Sequence, residues 1–249
     1  MNIDSKLIQV RSFCLSNADD TFVKKYSHFF TEGYDAYGIE PKLMEKQREK
    51  WLKEWKEELG FDGFLLLCDL LVKNGKYEEG SFAIWFASAF VREFTPETLF
   101  RFGSWLENDF RNWAHTDGLS LEVLSKFLTR GIVQLDAFSD WRKNPSKWKR
   151  RSVPVTLIKA LKRELPVEPY LEFLAPMMSD TEKVVHQGLG WFLRESWKKE
   201  PEPVETFLLR WKDTCARLII QYATEKMDSG KKALFKKNKK PDGFAIDQN

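Results

Sequence analysis

Asp117 follows Trp113 by four residues in the segment Asn112-Trp113-Ala114-His115-Thr116-Asp117-Gly118. On a helix, that spacing sets an indole and a carboxylate on one face. A carboxylate so placed can stabilise an electron-poor centre, or orient and deprotonate a water. Gly118 reads as a stop signal, which puts Asp117 at the C-terminal end of its helix, where the dipole disfavours an acid. Residues that break a local rule concentrate at functional sites. A structural reading competes: Asp117 closes an Asx-turn into Ser120, or caps the next helix. His115 falls off the Trp113/Asp117 face and is expected to be structural.

Two further clusters carry sorted chemistry. From Trp141 to Arg163 the chain has nine Lys and Arg and no acid, with Trp141 and Trp148 interleaved. Phosphates need cations, and aromatic faces suit bases or sugars. A solvated helix face is the ordinary reading of a charge run, but nine uncompensated charges repel one another, which favours contact with a polyanion. The last cluster lies in Val184–Lys199. At helical spacing, Val185, Leu189, Phe192 and Ser196 fall on one side, and Gln187, Trp191, Arg194 and Lys198 on the other. Trp191 therefore sits on a polar stripe one turn from Arg194, where binding and a second packing contact are both open to it.

These clusters need helices to position them, and helical spacing recurs along the whole chain. Leu outnumbers Val and Ile together, and no sustained alternation marks a strand. About fourteen helical segments are predicted, among them 41–59, 62–74, 110–117, 120–132, 145–164 and 180–199. Thr95-Pro96-Glu97 and Asn144-Pro145 supply start signals, Ser179–Glu182 a capping box, and Gly60, Gly75 and Gly118 stops. The fold class is all-α. Stacked helix pairs and a compact irregular domain fit the periodicity equally. Residues 1–229 are expected to form a single domain, and residues 230–249, with six Lys and two Asp, a mobile basic tail.

Composition bounds the rest. The 249 residues carry a net charge of +3, so any polyanion-binding face must come from sorting charges rather than from excess. The chain is rich in rings, with 20 Phe, 6 Tyr and 10 Trp. Cys14, Cys68 and Cys215 are scattered, which argues against disulfides and a zinc site. No nucleotide-binding glycine loop, zinc-protease, nucleophile-elbow or zinc-deaminase pattern occurs, and no metal ligand set or cofactor site is expected. No signal peptide or spanning segment is read, so a cytoplasmic protein is expected. No heptad seam calls for more than a monomer.

In this order the clusters resemble the AlkD-like DNA alkylation repair glycosylases, over nearly the whole chain to about residue 227. Gly38-Ile39-Glu40-Pro41 and Gly75-Lys76-Tyr77-Glu78 are early landmarks. Trp113 with Asp117 is similar to the family's W-x-x-x-D, Trp148–Arg151 to its W-x-x-R, and Gly190–Glu195 to its G-W-x-L-R-E. Ala114 departs from the acid expected after the first Trp, and Arg150 or Arg151 can match the middle motif. The resemblance implies a HEAT-like helical-repeat solenoid with a concave basic face. It implies Asp117 as the catalytic carboxylate and Trp113 and Trp191 at the lesion and its sugar. Arg151 and Arg194, with Arg150 and Lys147 of the basic run, would then hold phosphates of double-stranded DNA.

One carboxylate suffices for such a reaction. A cationic N3- or N7-alkylpurine leaves as a neutral base and needs no general acid, unlike an ordinary glycoside. The expected activity is hydrolysis of the N-glycosidic bond of such purines in duplex DNA. The competing expectation is a non-catalytic helical-repeat module that binds DNA or a protein.

Overall fold

The computed structural model describes residues 2–73, 75–161 and 166–237. Among them are thirteen α-helices and no strand, as expected of an all-α chain. The chain divides into two compact units, Met1–Arg163 and Glu164–Asn249.

The first unit holds α1 (Ile3–Ser16), α2 (Asp20–Ser27), α3 (Pro41–Val72), α4 (Tyr77–Ser88), α5 (Pro96–Asn108), α6 (Trp113–Leu119), α7 (Ser125–Thr129) and α8 (Lys147–Ala160). The stop expected at Gly60 is met: Gly60, at φ 56°, ψ −169°, is non-helical and kinks α3 into two helical stretches. A glycine reaches that conformation without strain, and no other atom approaches a Cβ built there. Helix α4 packs on α3, and α6 packs on both α4 and α8. The ring surplus largely goes inside. Trp51 stacks on Trp55, and Phe64, Phe82, Phe86, Phe102 and Phe127 are fully buried. Each such side chain contributes roughly 1.5–3 kcal/mol.

Gly118, by contrast, does not end its helix. Helix α6 passes into a π-helical turn, Ser120–Leu124, and on into α7. The Thr116, Ser120 and Ser125 hydroxyls donate to carbonyls four residues back, which lets the run continue through the irregular turn. Such turns recur at functional sites. Helix α8 starts at Lys147, two residues later than Asn144-Pro145 suggested. Ser146 is its N-cap, while Asn144 spends its side-chain oxygen on the Ser146 N–H.

The second unit holds α9 (Glu168–Leu174), α10 (Lys183–Lys199), α11 (Pro201–Trp211), α12 (Arg217–Ala223) and α13 (Ser229–Leu234). Helix α10 packs on α12 and α11, and α9 on α11. The first residues of the expected mobile tail are instead packed. Residues 229–234 are helical, Phe235 is fully buried, and Lys231 pairs with Glu205 at 2.6 Å. Residues 238–249 of that tail lie outside the described residues.

Candidate functional site

Helix α6 is set in place from its first turn. The Asn112 side-chain oxygen accepts from the His115 N–H at 2.8 Å, which caps the helix. The His115 ring is stacked on Tyr77 at 4.8 Å. Its Nε2 donates to the Tyr77 carbonyl at 2.8 Å, and its Nδ1 accepts from the Asn112 amide at 3.0 Å. Both ring nitrogens are used by the neutral form. Burial pushes the imidazole down to about 4. His115 thus joins α6 to α4.

That joint fixes Trp113 and Asp117 one turn apart. Trp113 is 39% exposed, whereas Asp117 is buried. Asp117 makes neither the Asx-turn nor the cap; it accepts two hydrogen bonds from Arg151 on α8. Nε donates to Oδ1 at 2.8 Å and Nη2 to Oδ2 at 2.7 Å. Arg151, expected at a phosphate, is 5% exposed. Burial raises the Asp117 carboxyl above its ordinary value of 3.8, while the Arg151 guanidinium opposes that rise. The arrangement is a buried, oriented carboxylate beside a half-exposed indole.

Trp113 has partners that the motif did not reveal. Its indole N–H donates to the Phe29 carbonyl at 3.0 Å, and its ring stacks on Phe30 at 5.6 Å. Phe30 also stacks on Tyr34 at 4.4 Å. The signal available in the sequence was the density of rings from Phe22 to Tyr37, six in sixteen residues.

The basic run is compensated in space. Lys147 pairs with Glu32 at 2.5 Å, Lys149 with Glu107 at 2.7 Å, Lys159 with Glu122 at 4.0 Å, and Arg151 with Asp117. Arg150 donates to the carbonyls of Asn144 and Pro145. Trp141 and Trp148 are buried, with Lys149 and Lys147 over their rings. Lys162 and Arg163 lie outside the described residues.

Trp191 and Arg194 belong to the second unit, on α10. Trp191 is half-buried. Arg194 pairs with Glu225 and with Glu195. Gly190 beside them is a packing residue: a Cβ there would stand 2.3 Å from the Tyr222 Cβ and 2.9 Å from the Ile219 carbonyl. Among the described residues, no cluster of His, Cys, Asp and Glu is suited to a metal ion, and no helix is long and apolar enough to cross a membrane. The three cysteines are free and buried.

Solved structures share this fold. A predicted DNA alkylation repair enzyme from Enterococcus faecalis superposes with a TM-score of 0.71 at 16% identity, covering 84% of this chain and 96% of that one. AlkD2 from Streptococcus mutans gives 0.58 at 18% identity, covering 84% and 99%. The smu.31 protein from Streptococcus mutans UA159 gives 0.55 at 20%, covering 75% and 98%. No curated protein matches the sequence. A family model described as DNA alkylation repair enzyme matches residues 15–227, and on that match, with Trp113 and Asp117 inside it, the chain belongs to the DNA alkylation repair enzyme family.

Proposed function

We propose that this chain is a monofunctional DNA glycosylase that hydrolyses the N-glycosidic bond of cationic N3- and N7-alkylated purines in duplex DNA. The observation that carries the reading is the buried Asp117 carboxylate, held by Arg151 one helical turn from the half-exposed Trp113. In the proposed reaction, the C1′–N bond breaks and its electron pair leaves with the neutral base. Water adds to the oxocarbenium-like sugar. Asp117 stabilises that cation and takes the proton of the water. Trp113 presents an aromatic face to the electron-poor sugar. Because the alkylated base is already cationic before the bond breaks and leaves neutral, no protonating acid, metal or cofactor enters the scheme.

Arg151 acts on Asp117 in this reading. The phosphates fall to the more accessible cations Arg150, Lys147 and, on α10, Arg194. The enzyme works as a cytoplasmic monomer on double-stranded DNA.

One observation favours the second reading, a non-catalytic DNA- or protein-binding module: Arg151 occupies both Asp117 oxygens. Release of base from methylated duplex DNA decides between the two. The wild type is expected to release 3-methyladenine or 7-methylguanine. Asp117→Asn should lose about 100-fold or more in rate while still binding DNA, with circular dichroism verifying its fold. Trp113→Leu, on a half-exposed side chain, should fold and also lose rate. Release unchanged in both variants removes the site from the chemistry, and no release by the wild type leaves the binding module.

A further inference from the structure

The back of α6 is as closely built as its front. Successive residues on a helix turn about 100°, so Trp113 and Asp117 lie about 40° apart and His115 about 160° from both. His115 is 6% exposed. Asn112 can serve it in one way only. Its oxygen accepts from the His115 N–H, so its amide nitrogen faces the ring and Nδ1 is the bare nitrogen. The ring proton then sits on Nε2 and goes to the Tyr77 carbonyl. Tyr77 and Phe110 crowd the ring, with centroids at 4.8 and 4.9 Å.

The room for this ring comes from α4. A Cβ on Gly80 would stand 2.6 Å from the His115 Cε1 and 2.9 Å from its Nε2. A ring held at both nitrogens cannot rotate away from such a contact. Tyr77 links this anchor to the front of α6: Phe30 meets the Tyr77 ring edge-on at 5.5 Å and stacks on Trp113.

We infer that His115, admitted by Gly80, is a positioning residue that fixes the rotation of α6 about its axis and so the direction in which Trp113 and Asp117 point. With side chains, a helix is about 5–6 Å in radius, so a turn of about 20° carries a side chain roughly 2 Å. A displacement of about 1 Å already costs on the order of 100-fold in rate. The same turn would draw Asp117 away from the two Arg151 nitrogens that hold it. The effect on rate rests on the glycosylase reading; the anchor rests on its own contacts.

Substitutions on both helices test this. Gly80→Ala keeps every polar group of the anchor and pushes on the ring, whereas His115→Ala removes the ring. In base release from methylated duplex DNA, each should lower kcat about tenfold or more and leave KM within twofold. The double variant should match His115→Ala within twofold, because Gly80 acts through the ring. Val204→Ala, at a buried position of the second unit, also loses stability but should keep kcat. The nitrogen–proton signal of the Trp113 indole, identified by its loss in Trp113→Leu, reads orientation without chemistry. It should shift in Gly80→Ala and His115→Ala and stay in place in Val204→Ala. An unchanged kcat, a loss that falls on KM, additive losses in the double variant or an unmoved indole signal overturns the inference and leaves the glycosylase standing. If the wild type releases no base, the glycosylase reading falls and the indole signal alone decides the anchor: a shift upholds it and no shift overturns it.

Discussion

Asp117 is buried against Arg151, and the two influences on its carboxyl oppose each other. Burial raises it and Arg151 lowers it, with burial the larger. The folded protein therefore holds this proton more tightly than the unfolded chain. That contribution favours folding at low pH and is withdrawn as pH rises through the raised value. Activity runs the other way, because the proposed chemistry needs the carboxylate. The acidic limb of base release should lie above the ordinary carboxylate value of 3.8. Arg151→Met removes the opposing influence, so its limb should move to still higher pH, with less release at neutrality. A pH–rate profile of wild type and variant checks this; a limb that stays put assigns Arg151 elsewhere. Trp113 and Asp117 were legible in the sequence because four-residue spacing is a local property. The Asp117–Arg151 pair was not, since 34 residues and a helix crossing separate the partners. Phe29 and Phe30 were likewise hidden, because they reach Trp113 across 83 or more residues of chain.

At the scale of elements, the sequence announced helices better than it announced where they end. Pro96 and Pro201 open α5 and α11 as proline at a first turn should. Glycine gave one true stop and one false one. Gly60 breaks the helical run by adopting a positive φ, whereas Gly118 sits inside a helix. The structure tells packing glycines from permissive ones. Gly190 faces Tyr222 Cβ and the Ile219 carbonyl, both anchored to the α12 backbone, so they cannot rotate away. Gly190→Ala should destabilise by about 1–3 kcal/mol, since overpacking exceeds the helix-propensity gain of about 1 kcal/mol. At Gly118 the nearest atom to a new Cβ is Ile84 Cδ1 at 3.6 Å, an ordinary contact. Gly118→Ala should stabilise by up to about 1 kcal/mol. Thermal denaturation of the pair is the check: melting temperatures that move in the same direction would contradict the α10–α12 packing argument.

For the molecule as a whole, the +3 net charge on 249 residues hides a compensation that runs through space. The run from Trp141 to Arg163 reads in one dimension as nine bare cations. In three dimensions Glu32, Glu107, Asp117 and Glu122 answer four of them. A DNA phosphate must therefore compete with a carboxylate for Lys147 rather than find it waiting. The Lys147–Glu32 pair is a weak competitor: its side chains are 30% and 40% exposed, and such pairs contribute about 0–1 kcal/mol. Glu32→Gln should leave the melting temperature nearly unchanged but release Lys147 for a phosphate. Affinity for unmodified duplex should rise about threefold at low salt, and the slope of log K against log salt should steepen by ~0.9 for one more neutralised phosphate. Removing a nearby acid would raise affinity by general field alone, so the background matters. In a Lys147→Gln protein the same substitution should change the slope by nothing, because the cation it would release is gone. A steeper slope in both backgrounds would mean that Glu32 acts by repulsion and not by holding Lys147.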